Sequence, residues 1–173
     1  MDILFKSIAT RLEQEVPELR WIDWEQGQID MNLEKTYPLQ FPAVLIDFTN
    51  INWSSIKHGV QDGEVTVLIK VVFDIYEDLN NHAPDRDMAL SRLELLKKIH
   101  KALHNFAGEI LPDNNNGFED SHFNRLERTS TSSERRDDGL KVINMLYVTL
   151  LRDQSGMNNM PTAIINDIKI SAL

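Results

Sequence analysis

The clearest pattern in the chain is an alternation of period two from Glu64 to Tyr76. Val65, Val67, Ile69, Val71, Phe73 and Ile75 share one parity, and Thr66, Leu68, Lys70, Val72, Asp74 and Tyr76 share the other. Successive strand side chains point to opposite faces, so this reads as a β-strand with one face in a core and one only partly apolar. A second apolar run, 43–52, precedes it, and the stretch between them, 54–63, contains Gly59 and the turn-forming pair Asp62-Gly63. An antiparallel hairpin with a fairly long loop follows from that order.

Helical spacing flanks the hairpin on both sides. Asp2 is a candidate N-cap, after which Phe5, Ile8, Leu12 and Val16 recur every three or four residues until Pro17. Beyond a turn cluster at 80–84, Asp85 or Asp87 is placed to cap a longer helix with the stripe Ala89, Leu93, Leu96, Ile99, Leu103 and Phe106, and Gly108 is placed to stop it. Residues 19–24 and 28–33 read as short strands around Gly27, and 37–42 as an extended lead-in, because proline biases the residue before it away from helix.

Past a surface loop at 112–117, residues 123–131 and 140–151 form a second strand pair across Asp137-Asp138-Gly139. The 140–151 run is apolar at both parities, which predicts a central place in the sheet or a face covered by another subunit. The pattern breaks at 155–161 and resumes weakly at 163–173. The expected class is α+β, a mostly antiparallel β-sheet with an N-terminal helix and a long central helix packed on it. One domain is expected over 1–155, with a C-terminal arm or short extra strand over 156–173.

Composition narrows the functions open to such a fold. With 173 residues, 42% of them hydrophobic, the chain can build an ordinary core without disulfide or metal help. Lys and Arg number 18 against 27 Asp and Glu, a formal charge of −9, and the mean field therefore repels nucleic acid and anionic membrane. Neither sequence-specific nucleic acid nor membrane is expected as a partner. The absence of cysteine excludes disulfides, thiolate nucleophiles and cysteine-ligated zinc. The opening residues have no basic stretch leading into a long apolar run, and no window reaches 18 consecutive apolar residues, so a soluble cytoplasmic protein is expected.

Candidate chemistry is sparse. His100 and His104 lie one helical turn apart, a spacing that holds a metal when a third ligand is supplied, but Lys101, Ala102 and Leu103 stand where a zinc protease carries its glutamate. They read as boundary residues beside the apolar stripe. Asp113-Asn-Asn-Asn-Gly117 fails the calcium-loop pattern, with glycine one position early and Asn124 at the twelfth place. Asp85, Asp87 and Glu94 form an acidic group suited to a nuclease metal, yet acids in a first helical turn ordinarily serve the cap and the dipole.

Asn52-Trp-Ser54 matches a glycosylation acceptor, inert in a chain without a secretory signal. Arg135-Arg136 reads as part of a solvated turn. No phosphate loop, nucleophile elbow or catalytic triad is present, so neither an enzyme nor a cofactor is expected. Trp21, Trp24 and Trp53 suit a stacking surface for a ligand or, more ordinarily, a core cap or a subunit interface.

An N-terminal helix, the Pro42-Ala-Val-Leu-Ile-Asp-Phe48 strand, the Asp62-Gly63 turn, the strand from Val65 to Tyr76, a long helix ending Lys-Ala-Leu-His-Asn-Phe106 and the closing strand of 140–153 together resemble the tail-terminator, or tail-completion, proteins of long-tailed bacteriophages. The resemblance covers roughly residues 1–153 and rests on the order of elements. It implies a small α+β subunit of a ring, typically of six copies, that caps the tail tube and offers a joining surface to the head. The implied partners are further copies of the chain, the tail-tube protein and a head-completion or neck protein, in the virion tail and in host cytoplasm during assembly.

The excursion at 107–133 and the tail after Gly156 depart from shorter members, which leaves a neck or baseplate role as an alternative. A cytosolic ligand-binding or regulatory domain using the tryptophans is another. A ring subunit needs two different contact patches. Trp21, Trp24, Trp53, Tyr76, Tyr147 and Leu151 are the candidate interface residues.

Overall fold

The computed structural model describes residues 1–30, 39–56, 59–74, 82, 84, 86–108 and 122–156. Five strands, β1 (Trp21–Trp24), β2 (Ala43–Ser55), β3 (Gln61–Asp74), β4 (Glu127–Glu134) and β5 (Leu140–Asp153), form one sheet in the order β1-β2-β3-β5-β4. Three of the four pairings are antiparallel, and β1 runs parallel to β2. Two helices, α1 (Asp2–Glu15) and α2 (Arg86–Leu103), complete the α+β architecture. Neither is long and apolar enough to cross a membrane.

One sheet face and the two helices enclose the main core. The odd-numbered residues Val65 to Phe73 of β3 meet Val44 and Ile46 of β2 and Met145, Tyr147 and Leu151 of β5, under Leu4, Ile8 and Leu12 of α1 and Leu95, Ile99, Ala102 and Leu103 of α2. The single parity of β3 is what allows five consecutive inward positions on one strand. β2 keeps the same face through a bulge, because its register against β3 slips between Phe48 and Asn50. The extra residue flips the parity, so Ile51 and Trp53 fall on the side of Val44 and Ile46.

Among the described residues, the opposite face is covered at one end only. There Ala43, Leu45, Val72 and Val142 are buried with Ile29 and Leu39, against Trp21, Phe41 and Leu140.

Several sequence expectations shift. The hairpin is tighter than expected: Asp62 and Gly63 lie within β3, opposite Ser54 and Trp53, and the chain turns through Gly59 at φ 83° with Ile56 N donating to Val60 O at 3.0 Å. Gly63 serves close packing instead of a turn. An ideal Cβ there would sit 2.7 Å from Cε3 and Cζ3 of Trp53, so the indole lies over the glycine.

Met1, without a side-chain cap bond, is the N-cap of α1, and Asp2 is its first helical residue. In α2 the buried side passes through Leu95 and Ala102, and Leu93 is 48% exposed, a rotation of the expected stripe that places Leu93 on the outer side. The helix ends at Leu103, well before Gly108, and the turn that follows it contains Asn105 at φ 62°. Strand β5 is central, between β3 and β4; its one parity enters the main core, and of the other parity Val142 is buried in the smaller cluster whereas Leu146, Val148 and Leu150 lie outside both. Residues 28–30 form a turn. The expected strand through 31–33, the segment 112–117 and the arm at 157–173 lie outside the described residues.

Candidate assembly surfaces

The five interface candidates among the described residues are not gathered in one place. Trp21 packs on the smaller core, with Nε1 buried and without a hydrogen-bond partner among the described residues. Trp24 is exposed, with its ring centroid 6.3 Å from that of Phe5. Trp53 is exposed at the hairpin end of the sheet, beside an open cleft of about 440 Å³ lined also by Met1, Ile3, Leu151 and Asp153. The side chains of Tyr147 and Leu151 are buried in the chain's own core. Tyr76 lies outside the described residues.

Two surfaces combine apolar exposure with position. The first is the half of the open sheet face that the smaller core leaves uncovered. Leu68 lies directly opposite Leu146, with Val148 and Leu150 next on β5 opposite Thr66 and Glu64. These four leucine and valine side chains belong to neither buried cluster, and Leu150 is 45% exposed. Asp47, Glu64 and Glu127 occupy the same side of the sheet by register, as do Lys70 and Arg152, which are paired with Glu25 and Asp62, so the patch is apolar at the centre with a charged, mainly acidic rim. The second surface is the outer side of α2. At 3.6 residues per turn, Arg86, Leu90, Leu93, Lys97 and Lys101 share one stripe, and all five are exposed.

A network of charges ties the covered half of the open face together. Lys70 Nζ meets Glu25 Oε2 at 3.0 Å and Glu134 Oε1 at 3.9 Å, and the Lys70 and Glu25 side chains are only 14% and 11% exposed. Asn144 Nδ2 donates to Glu134 at 2.8 Å. Arg136 NH1 reaches Asp30 at 2.8 Å, and its Nε and NH2 groups donate to Asp138. Those hydrogen bonds hold the Asp138 carboxyl below its usual range. Arg136 is thus not a residue of a solvated turn, as its neighbours in sequence implied, but a mostly buried clamp between the 25–30 segment and the β4–β5 turn. Nothing in the local sequence marks it, because its partner Asp30 is 106 residues away.

The histidine pair sits at the helix–sheet boundary. His100 Nδ1 is 3.3 Å from the Tyr147 hydroxyl, and the rings of His100 and His104 are 4.9 Å apart. Burial, then the Arg128 and His104 charges, lower the His100 pKa. Burial pushes the Tyr147 phenol up to about 12. No third ligand joins the two histidines, and no group of three or more His, Asp or Glu fit for a metal occurs among the described residues. His100 is part of the packing between α2 and β5, and His104 lies exposed just past the helix end.

A scan against models of known protein families finds no match, and a search of curated proteins finds none either. Among solved structures, the fold is similar to that of a chain from the virion of a native gene transfer agent particle. That match has a TM-score of 0.51 at 10% sequence identity and spans 87% of this chain and 95% of the other. The likeness is therefore one of fold, along nearly the whole of both chains.

Proposed function

We propose that this chain is a structural assembly protein of a phage-type virion, which forms an oligomeric ring, caps the tail tube and joins it to the head. The observation that carries the reading is the nearly full-length fold likeness to a chain of a gene transfer agent virion. The order of elements, similar to that of tail terminators, points the same way. A head-to-tail ring requires two dissimilar patches on different sides of the subunit. The open sheet face and the outer side of α2 meet that requirement, since α2 packs on the other face of the sheet. Net charge of −9 suits a passage for DNA, because like charge removes attractive phosphate contacts.

In this role the protein acts by contact, with no catalytic step and no cofactor. Its partners are its own copies, the tail-tube protein and a head-completion or neck protein. The ligand-binding alternative is weakened by the tryptophans, which are spread over the fold, Trp21 on the smaller core, Trp24 beside Phe5 and Trp53 at the hairpin end.

Light scattering of the purified chain over a concentration series, with and without tail-tube protein, tests the proposal. A closed oligomer near six subunits is expected, and tube length in a polymerisation assay should fall as the ring is added. A persistent monomer that leaves tube growth unchanged refutes it.

A further inference from the structure

The subunit contact itself has a candidate. We infer that the outer stripe of α2 in one copy seats on the open half of the sheet face of the next copy, an inference that rests on the reading of the chain as a self-assembling subunit. Among the described residues the sheet carries its helices on one face only, and an amphipathic layer is stable when its apolar face is covered. Leu68, Leu146, Val148 and Leu150 on β3 and β5 form an apolar patch outside both buried clusters. Leu90 and Leu93 are two of the large apolar side chains that α2 turns away from its own sheet. Helix α2 is amphipathic toward its own core and apolar again at this second site, a pattern of a helix packed on both sides.

Charge selects which surface meets which. Helix α2 carries Arg86, Arg92, Lys97, Lys98 and Lys101 against Asp87 and Glu94, a cationic element in a chain of net charge −9. The exposed leucines are flanked by Arg86, Lys97 and Lys101, with Glu94 paired to Lys97, whereas on the sheet face Asp47, Glu64 and Glu127 stand beside Lys70 and Arg152, two cations already paired with Glu25 and Asp62. Two sheet faces brought together would set acid against acid, and two helices cation against cation. Only helix on sheet is complementary.

The two patches lie on opposite sides of one subunit, separated by the main core. A contact between them is heterologous and repeats from copy to copy, as ring closure demands. Each α2 would then be the middle layer between its own sheet and that of its neighbour.

Leu93→Glu and Leu150→Glu test the contact, because both positions are exposed and neither substitution disturbs the core. Each variant alone should raise the concentration needed for assembly by roughly tenfold or more, with an unchanged circular dichroism spectrum. Mixing the two should produce a 1:1 dimer and nothing larger, since one intact helix meets one intact sheet face and the remaining pair of patches opposes two glutamates. Should either glutamate prevent folding, Leu93→Ser and Leu150→Ser carry the same test with a smaller shift. If the wild type forms a closed oligomer and the variants match it in mass, this contact is wrong and the ring reading stands. If the variants become monomeric but do not complement each other, the helix-on-sheet pairing is wrong. A wild-type chain that stays monomeric with and without tail-tube protein overturns the assembly reading as well.

Discussion

Replacing Gly63 by alanine should destabilise the fold, and the loss should depend on Trp53. The added Cβ would lie 2.7 Å from Cε3 and Cζ3 of the indole and 3.1 Å from Cδ2. Carbon atoms pack at roughly 3.5 to 4 Å, so the ring or the strand must give by about 1 Å. Overpacking of this kind costs about 1 to 3 kcal/mol. Against it stands about 0.5 to 1 kcal/mol from the lower backbone entropy of alanine, because Gly63 sits in a regular strand with no positive φ. A net loss of about 1 to 2 kcal/mol follows, or a fall in Tm of about 3 to 6 °C for a chain of this size.

Urea unfolding of the wild type, Gly63→Ala, Trp53→Ala and the double variant forms a cycle that isolates the contact. All four should be measured at one protein concentration, since assembly adds apparent stability. In the Trp53→Ala background the alanine at 63 should be neutral or stabilising, which gives a coupling of about 1 to 2 kcal/mol. Equal losses in both backgrounds would show that Trp53 is not what excludes a side chain at 63.

Three further outcomes follow from the polar interior. The His100 pKa is lowered on folding, so the unfolded chain binds the extra proton first. Stability should fall as pH drops below the ordinary histidine value of 6.5, and His100→Gln should remove that slope from a pH series of thermal melts. The raised Tyr147 phenol reverses the sign. Stability should be lost as pH climbs from 10 toward 12, Tyr147→Phe should lack this alkaline limb, and a 295 nm titration should show one of the three tyrosines ionising last. Lys70→Met should cost about 1 to 3 kcal/mol by stranding Glu25, and Glu25→Gln in the same chain should recover most of it. An equal or larger loss in the double variant would contradict the pairing. Asn105 at φ 62° should tolerate glycine without loss and lose about 1 kcal/mol or more on change to valine, read from thermal melts.

Local periodicity by itself determined much of this protein. The alternation along β3 named its core face residue by residue, and the helical spacing located α1 and α2, because strand and helix periods are properties of the backbone. The two-faced apolar run of β5 predicted a central position or a face covered by another subunit, and the strand order puts it between β3 and β4. What neighbours in sequence do not encode had to come from tertiary structure. The bulge in β2 keeps Ile51 and Trp53 on the core side only because β3 lies against it. Gly63, read locally as a turn residue, is small because an indole from the paired strand covers it.

Arg136 read as part of a solvated turn, and the burial of Arg136 and Lys70 depends on Asp30 and Glu25, brought from the segment that follows β1. The candidate assembly surfaces divide in the same way. Tyr147 and Leu151 carry apolar bulk that sequence alone assigned to an interface, whereas their parity in β5 directs both into the core. Leu150 and Leu93 stand outside because the strand phase and the helix rotation, set by what packs on the other side, turn them away.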